Sequence, residues 1–162
     1  MDASLPYSFM FLLGGGFALS DAAKKSGLNN KIGESLSLVK EWPNALILFF
    51  VILVVTFVTN FASNVAVCNV FVPLVMELAK QIKLNPLWYN LAGGLSASYC
   101  FMMPVGTPGN LVVQSAASIA TTKMMIAGAG PTVFTIFLTW FFLYFWAPVI
   151  WPDLTTMPSW AN

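Results

Sequence analysis

The sequence predicts an all-α, polytopic membrane protein containing a re-entrant helical hairpin and a broken transmembrane helix. Three observations predict it. Of 162 residues, 58% are hydrophobic and only 8% charged, whereas a soluble domain carries about a quarter charged residues. The charges are also clustered: no Asp, Glu or Lys lies between Trp42 and Met76, between Leu84 and Thr122, or between Met124 and Pro152. Each of these stretches exceeds the roughly 20 apolar residues that a helix needs to cross a bilayer. Finally, two short polar interruptions, Ser63-Asn64 and Thr107-Pro108-Gly109-Asn110, stand inside those stretches. A helix broken at membrane depth leaves amides and carbonyls unpartnered, and it persists only inside protein or around a ligand, an ion or water.

Residues 1–41 read as a glycine-rich membrane segment followed by an interfacial amphipathic helix. Gly14-Gly15-Gly16 weakens a helix but permits close backbone packing. Ile32, Leu36 and Val39 recur at helical spacing within a Lys-bearing stretch, the pattern of a helix lying along the membrane face. No basic run or cleavage site marks a signal peptide, and the start reads like the middle of a longer protein. Residues 42–83 open at Trp42-Pro43, with proline suited to a first helical turn. The apolar arms Ala45–Phe61 and Val65–Leu78, about 17 and 14 residues, flank Ser63-Asn64. One long span with a polar end is an alternative, but arms this short around a polar tip favour a hairpin.

Residues 84–123 read as a broken transmembrane helix: Asn85-Pro86 opens an apolar helix running to Met103, and a helix resumes at Leu111. Between them, two prolines and two glycines within residues 104–110 oppose helix. Residues 124–162 supply the last span, Met125–Trp151, and a polar tail. Trp140, Trp146 and Trp151 suit a headgroup interface.

The chemistry follows from what can sit at the breaks. Ser63 with Asn64, and Thr107 with Asn110, each pair a hydroxyl with an amide. Such groups donate to a carboxylate, while amide and backbone oxygens accept a hard cation such as sodium. Helices restarting at Val65 and Leu111 would aim two positive dipole ends at one place. Carbonyls near Thr59–Ala62 and Val105–Gly106 suit sodium. The bland alternative is that these residues are helix–helix glue and kinks, as Asn60 and Asn69 are expected to be. Enzyme chemistry has little to work with: His is absent, all seven cations are Lys, and the apolar stretches hold no carboxylate. No basic run supports nucleic-acid binding. Cys68 and Cys100 read as buried free thiols. Secondary transporters use two inverted copies of such a broken unit, and one is found here.

These residues resemble a known family, the divalent anion–sodium symporters, or INDY-type sodium-coupled di- and tricarboxylate transporters, over essentially all of the chain. Leu12–Leu19 with Ser26-Gly27-Leu28 matches one family block. Thr59–Val65 (TNFASNV) matches the second Ser-Asn-Thr signature, at the outer hairpin tip. Pro104–Asn110 (PVGTPGN) matches the Pro-Val-Ala-Thr-Pro-Pro-Asn loop, and Trp160-Ala161-Asn162 resembles the terminus of animal members. The resemblance implies an all-α inverted repeat and sodium-coupled uptake of dicarboxylates or tricarboxylates, such as succinate or citrate. It implies a homodimer moving a transport domain like an elevator, in the plasma membrane, with sodium as coupling ion and no other cofactor. It implies that Ser63, Asn64, Val65, Thr107 and Pro108 line the substrate, with Asn110 a further candidate. Sodium would be held by Thr59, Ala62, Asn64 and Gly106. Three residues depart from the pattern: Val65 replaces Thr, Gly109 replaces a second Pro, and Asn60 replaces an acidic residue. The other half of the site, in the first repeat, would lie outside these residues. The alternative function is a truncated, non-transporting subunit or scaffold pairing with full-length transporters.

Overall fold

A computed structural model of the chain describes residues 14, 15, 18, 22, 25–27, 42–104, 106–156 and 158. The interfacial helix expected within residues 1–41, and the Trp160-Ala161-Asn162 terminus, lie outside the described residues. Among the described residues every element is helical: α1 (Asn44–Thr59), α2 (Asn64–Gln81), α3 (Pro86–Ser96), α4 (Pro108–Ala117), α5 (Thr121–Phe141), a π turn (Phe142–Trp146), α6 (Ala147–Ile150) and a final 3-10 turn (Pro152–Thr155).

The helix starts follow from local chemistry. Pro43 caps α1 with its carbonyl, which accepts from the Leu46 and Ile47 amides at 2.8 and 3.3 Å. Ser63 caps α2, its Oγ accepting from the Ala66 amide at 3.3 Å. Asn85 caps α3 through Oδ1, 3.0 Å from the Leu87 amide, with Pro86 as the first helical residue. Thr107 and Pro108 repeat that arrangement at α4, where Thr107 Oγ1 accepts from the Asn110 amide at 3.4 Å. A side-chain oxygen satisfies a donor the ladder cannot, and proline loses nothing at a position whose N–H has no helical partner. Two ends use left-handed residues: Lys83 after α2, at φ 57°, and Ser118 after α4, at φ 50°.

The hairpin arms fold back on each other. Residues 50–55 of α1 and 71–78 of α2 line one apolar cleft of about 160 Å³. Beyond the tip α3 packs against both arms, and Gly93 brings its backbone towards Val75 Cγ2. One stripe of α1, including Ile47, Leu48, Ile52, Val55, Thr56 and Thr59, is buried, whereas Leu46, Phe50, Leu53 and Phe57 are exposed. A helix apolar all round belongs in an apolar medium. Thr121–Ile150 forms 30 continuous helical residues, and an 18-residue stretch within it has a mean hydropathy of 1.9, long and apolar enough to cross a membrane.

In such a medium helices associate through close packing and hydrogen bonds rather than through exclusion of water. The bonds here are specific. Trp140 Nε1 donates to the Ala45 carbonyl at 2.8 Å, and Phe49 packs on Phe137 and Trp140 with ring centroids 5.6 and 5.9 Å away. Trp88 Nε1 donates to the Leu143 carbonyl in the π turn at 2.8 Å, and Asn85 Nδ2 donates to the Asp153 carbonyl at 3.0 Å. These contacts pin the base of α1 and α3 to the last helix.

Four sequence expectations are corrected. The helix expected to run from Pro86 to Met103 stops at Ser96, so the described residues of the segment 97–107, namely 97–104, 106 and 107, are unwound, rather than the 104–110 loop. The restart expected at Leu111 occurs at Pro108, because Thr107 caps it and Pro108 fits its first position. The restart expected at Val65 occurs at Asn64, directly after the Ser63 cap. The last helix also begins at Thr121, which puts Lys123 in its first turn.

Candidate functional site

The two interruptions meet at Thr59. This residue ends α1 and is fully buried. Its Oγ1 lies 2.6 Å from the Ala97 carbonyl, at the start of the 97–107 segment, and 2.8 Å from Asn64 Oδ1, at the start of α2. Its own carbonyl oxygen lies on Gly106: a Cβ placed on that glycine would be 3.0 Å from it. The same Cβ would be 2.9 Å from Cys100 Cβ and would overlap Cys100 Sγ. Gly106 is therefore a requirement of space, and it lets the end of one break touch the end of the other.

Thr59 has one hydroxyl proton and two neighbouring acceptors, so it serves one of them at a time. Given to Ala97, at the shorter distance, that proton leaves Thr59 Oγ1 able to accept. A half-turn of the Asn64 amide then presents Nδ2 to Thr59 and turns Asn64 Oδ1 away from it. Asn60 adds a second tie. It is buried, its Nδ2 donating to the Thr56 carbonyl at 2.7 Å and its Oδ1 accepting from the Met102 amide at 3.0 Å. Asn110 works from within the second break: its Nδ2 donates to the carbonyls of Cys100 at 2.8 Å and Met103 at 3.1 Å. The last helix braces the far side. Tyr99 and Thr139 share a hydroxyl hydrogen bond of 2.8 Å, and Gly128 lies against the backbone of Phe101 and Met102.

These ties leave a set of free oxygens. Among the described residues no backbone N–H donates to the carbonyls of Thr59, Asn60, Phe61, Ala62 or Gly106. No group of three His, Cys, Asp or Glu suited to a metal occurs among the described residues, so a cation here would meet neutral oxygens. That donor set fits a hard monovalent ion better than a transition metal.

The structure brings Thr59, Asn64 and Gly106 into direct contact, with Ala62 between the first two in the chain and half-buried. Ser63 and Thr107 are helix caps. Each accepts on its hydroxyl oxygen and keeps its own proton for another partner. Val65 and Pro108 are exposed, and no hydrogen bond joins the two caps among the described residues. Asn110 has its amide nitrogen committed to the segment's own carbonyls. Sequence reasoning missed Ala97, Cys100 and Met102 as part of the junction, because an apolar run carries no signal of which carbonyls and amides it will offer. Asn60 was visible, but its clamp on a residue 42 positions away was not.

Apolar helices whose interruptions converge on uncharged oxygens, as they do among the described residues, are a feature that secondary transporters share. Comparison with known proteins narrows this. The citrate transporter family model matches residues 7–157, and the chain belongs to that family. It is 42% identical over 162 residues to the Drosophila melanogaster protein "I'm not dead yet", covering all of this chain and 28% of that protein. It is 35% identical over 159 residues to rat Na(+)/dicarboxylate cotransporter 3, covering 98% and 26%. It is 34% identical over 156 residues to the Caenorhabditis elegans sodium-dependent low-affinity dicarboxylate transporter 1, covering 96% and 27%. The chain thus spans about a quarter of the length of these curated relatives.

Proposed function

We propose that this chain forms one half of the binding site of a sodium-coupled symporter for di- and tricarboxylates such as succinate or citrate. In this reading residues 42–83 are a re-entrant hairpin and residues 84–123 a broken transmembrane helix, together with the last span composing one inverted repeat. The single observation that carries the reading is the meeting of both breaks at Thr59, without a charged side chain in either.

The roles follow from the donors. Sodium is held by the carbonyls of Thr59, Ala62 and Gly106 and by Asn64 Oδ1. The substrate carboxylate takes the free hydroxyl protons of Ser63 and Thr107 and the first amides of α2, where the dipole is positive. Val65 and Pro108 line the substrate with apolar surface. Asn110 shapes the loop that presents Thr107. The sodium-dependent names of the relatives support the coupling ion, and they weigh against a non-transporting scaffold. The complete protein acts as a homodimer in the plasma membrane, with the hairpin and broken helix carried together.

The test is uptake of labelled succinate by cells expressing the complete protein. Asn64→Ala or Thr107→Ala should abolish the sodium-dependent component while surface expression persists. Uptake near wild type in both variants would refute the assigned roles.

A further inference from the structure

We propose that Asn60 is a positioning residue for sodium: its side chain fixes the carbonyls of residues 59–62 against the unwound 97–107 segment. The inference rests on the sodium-coupled reading above and assigns a residue that reading does not use.

Asn60 is the first residue past α1 and is 3% exposed. Both ends of its amide are employed in opposite senses. Nδ2 donates to the Thr56 carbonyl at 2.7 Å, holding the side chain against its own helix. Oδ1 accepts from the Met102 amide at 3.0 Å, reaching the other break. Thr59, one residue earlier, holds Ala97 at 2.6 Å. The first break is therefore attached to the second at Ala97 and at Met102, five residues apart along an unwound strand. Two attachments remove a rotation that one would leave free. The Gly106 carbonyl belongs to that strand and the Thr59 and Ala62 carbonyls to the hairpin tip, so their separation is set by this double tie. A cation bound between them senses any change in it.

Only a side chain with a donor and an acceptor can make both bonds. In Asn60→Leu both are lost at similar volume.

The experiment is a sodium titration of the melting temperature of the purified complete protein in detergent, with choline keeping ionic strength constant. Asn60→Leu should raise the half-saturating sodium concentration about three- to tenfold, the range that loss of the bond to Met102, the one of the two that joins the breaks, would give. A purely structural role would lower the sodium-free melting temperature of Asn60→Leu and leave half-saturation unchanged, which would overturn the proposal. Absence of any sodium effect on wild type would instead remove the transport reading, and this proposal with it.

Discussion

Replacing Gly106 by alanine tests the junction at its tightest point. The new Cβ would stand 3.0 Å from the Thr59 carbonyl oxygen and 2.9 Å from Cys100 Cβ, and would overlap Cys100 Sγ. Carbon atoms in contact prefer about 3.5–4.0 Å, so the 97–107 segment must move away from the end of α1 by a large fraction of an ångström. Neither Thr59 nor the Cys100 backbone is free to yield, since Thr59 is bonded to Ala97 and the Cys100 carbonyl to Asn110. Overpacking of this kind costs about 1–3 kcal/mol. At a factor of ten per roughly 1.4 kcal/mol, sodium affinity should fall about five- to a hundredfold. The assay is the sodium dependence of succinate uptake by the complete protein, with surface level measured in the same cells. Cys100→Ala removes the sulfur, the worst of the three contacts, and should restore part of the loss in the double variant. Half-saturation unchanged in Gly106→Ala, or purely additive effects with Cys100→Ala, would refute the argument.

Two further predictions concern the scaffold. Gly128→Val places a side chain against the Phe101 and Met102 backbone, where no flexible atom can retreat. It should separate the last helix from the unwound segment and lower the melting temperature by several degrees, more than Gly130→Val, whose added Cβ meets nothing within 4 Å. Trp88→Phe keeps an aromatic ring, though a smaller one than the indole, and removes the donor to the Leu143 carbonyl. It should cost about 1–2 kcal/mol, read as a drop in melting temperature with sodium half-saturation unaltered.

The sequence displayed the capping residues of the helices, though it misplaced the starts that follow Ser63 and Thr107, and it showed one helix end poorly, for a physical reason. Ser63, Asn85-Pro86 and Thr107-Pro108 are cap chemistries that act within three residues, so their meaning is local. Even there, proline and glycine at 108–109 read as breakers when they are the first turn of α4. The end of α3 at Ser96 has no local cause: Ala97–Met103 (ASYCFMM) contains no proline or glycine. It unwinds because partners elsewhere take its backbone groups, namely Thr59 at Ala97, Asn60 at Met102 and Asn110 at Cys100 and Met103. Those partners are visible as polar residues, but their pairing is a property of the tertiary structure. The candidate site divides in the same way. Thr59, Asn64 and Gly106 could be nominated from the sequence, whereas the shared position of Thr59 between two acceptors required coordinates.

The uncharged character of the junction has an electrostatic corollary. With no fixed ammonium or guanidinium in either break, a carboxylate arriving alone would meet only dipoles in a medium of low permittivity, and a cation alone would fare no better. Each species is the other's counter-charge. Under the reading proposed here, obligatory co-occupancy needs no gate or latch: a neutral host makes a lone guest expensive and a matched pair cheap.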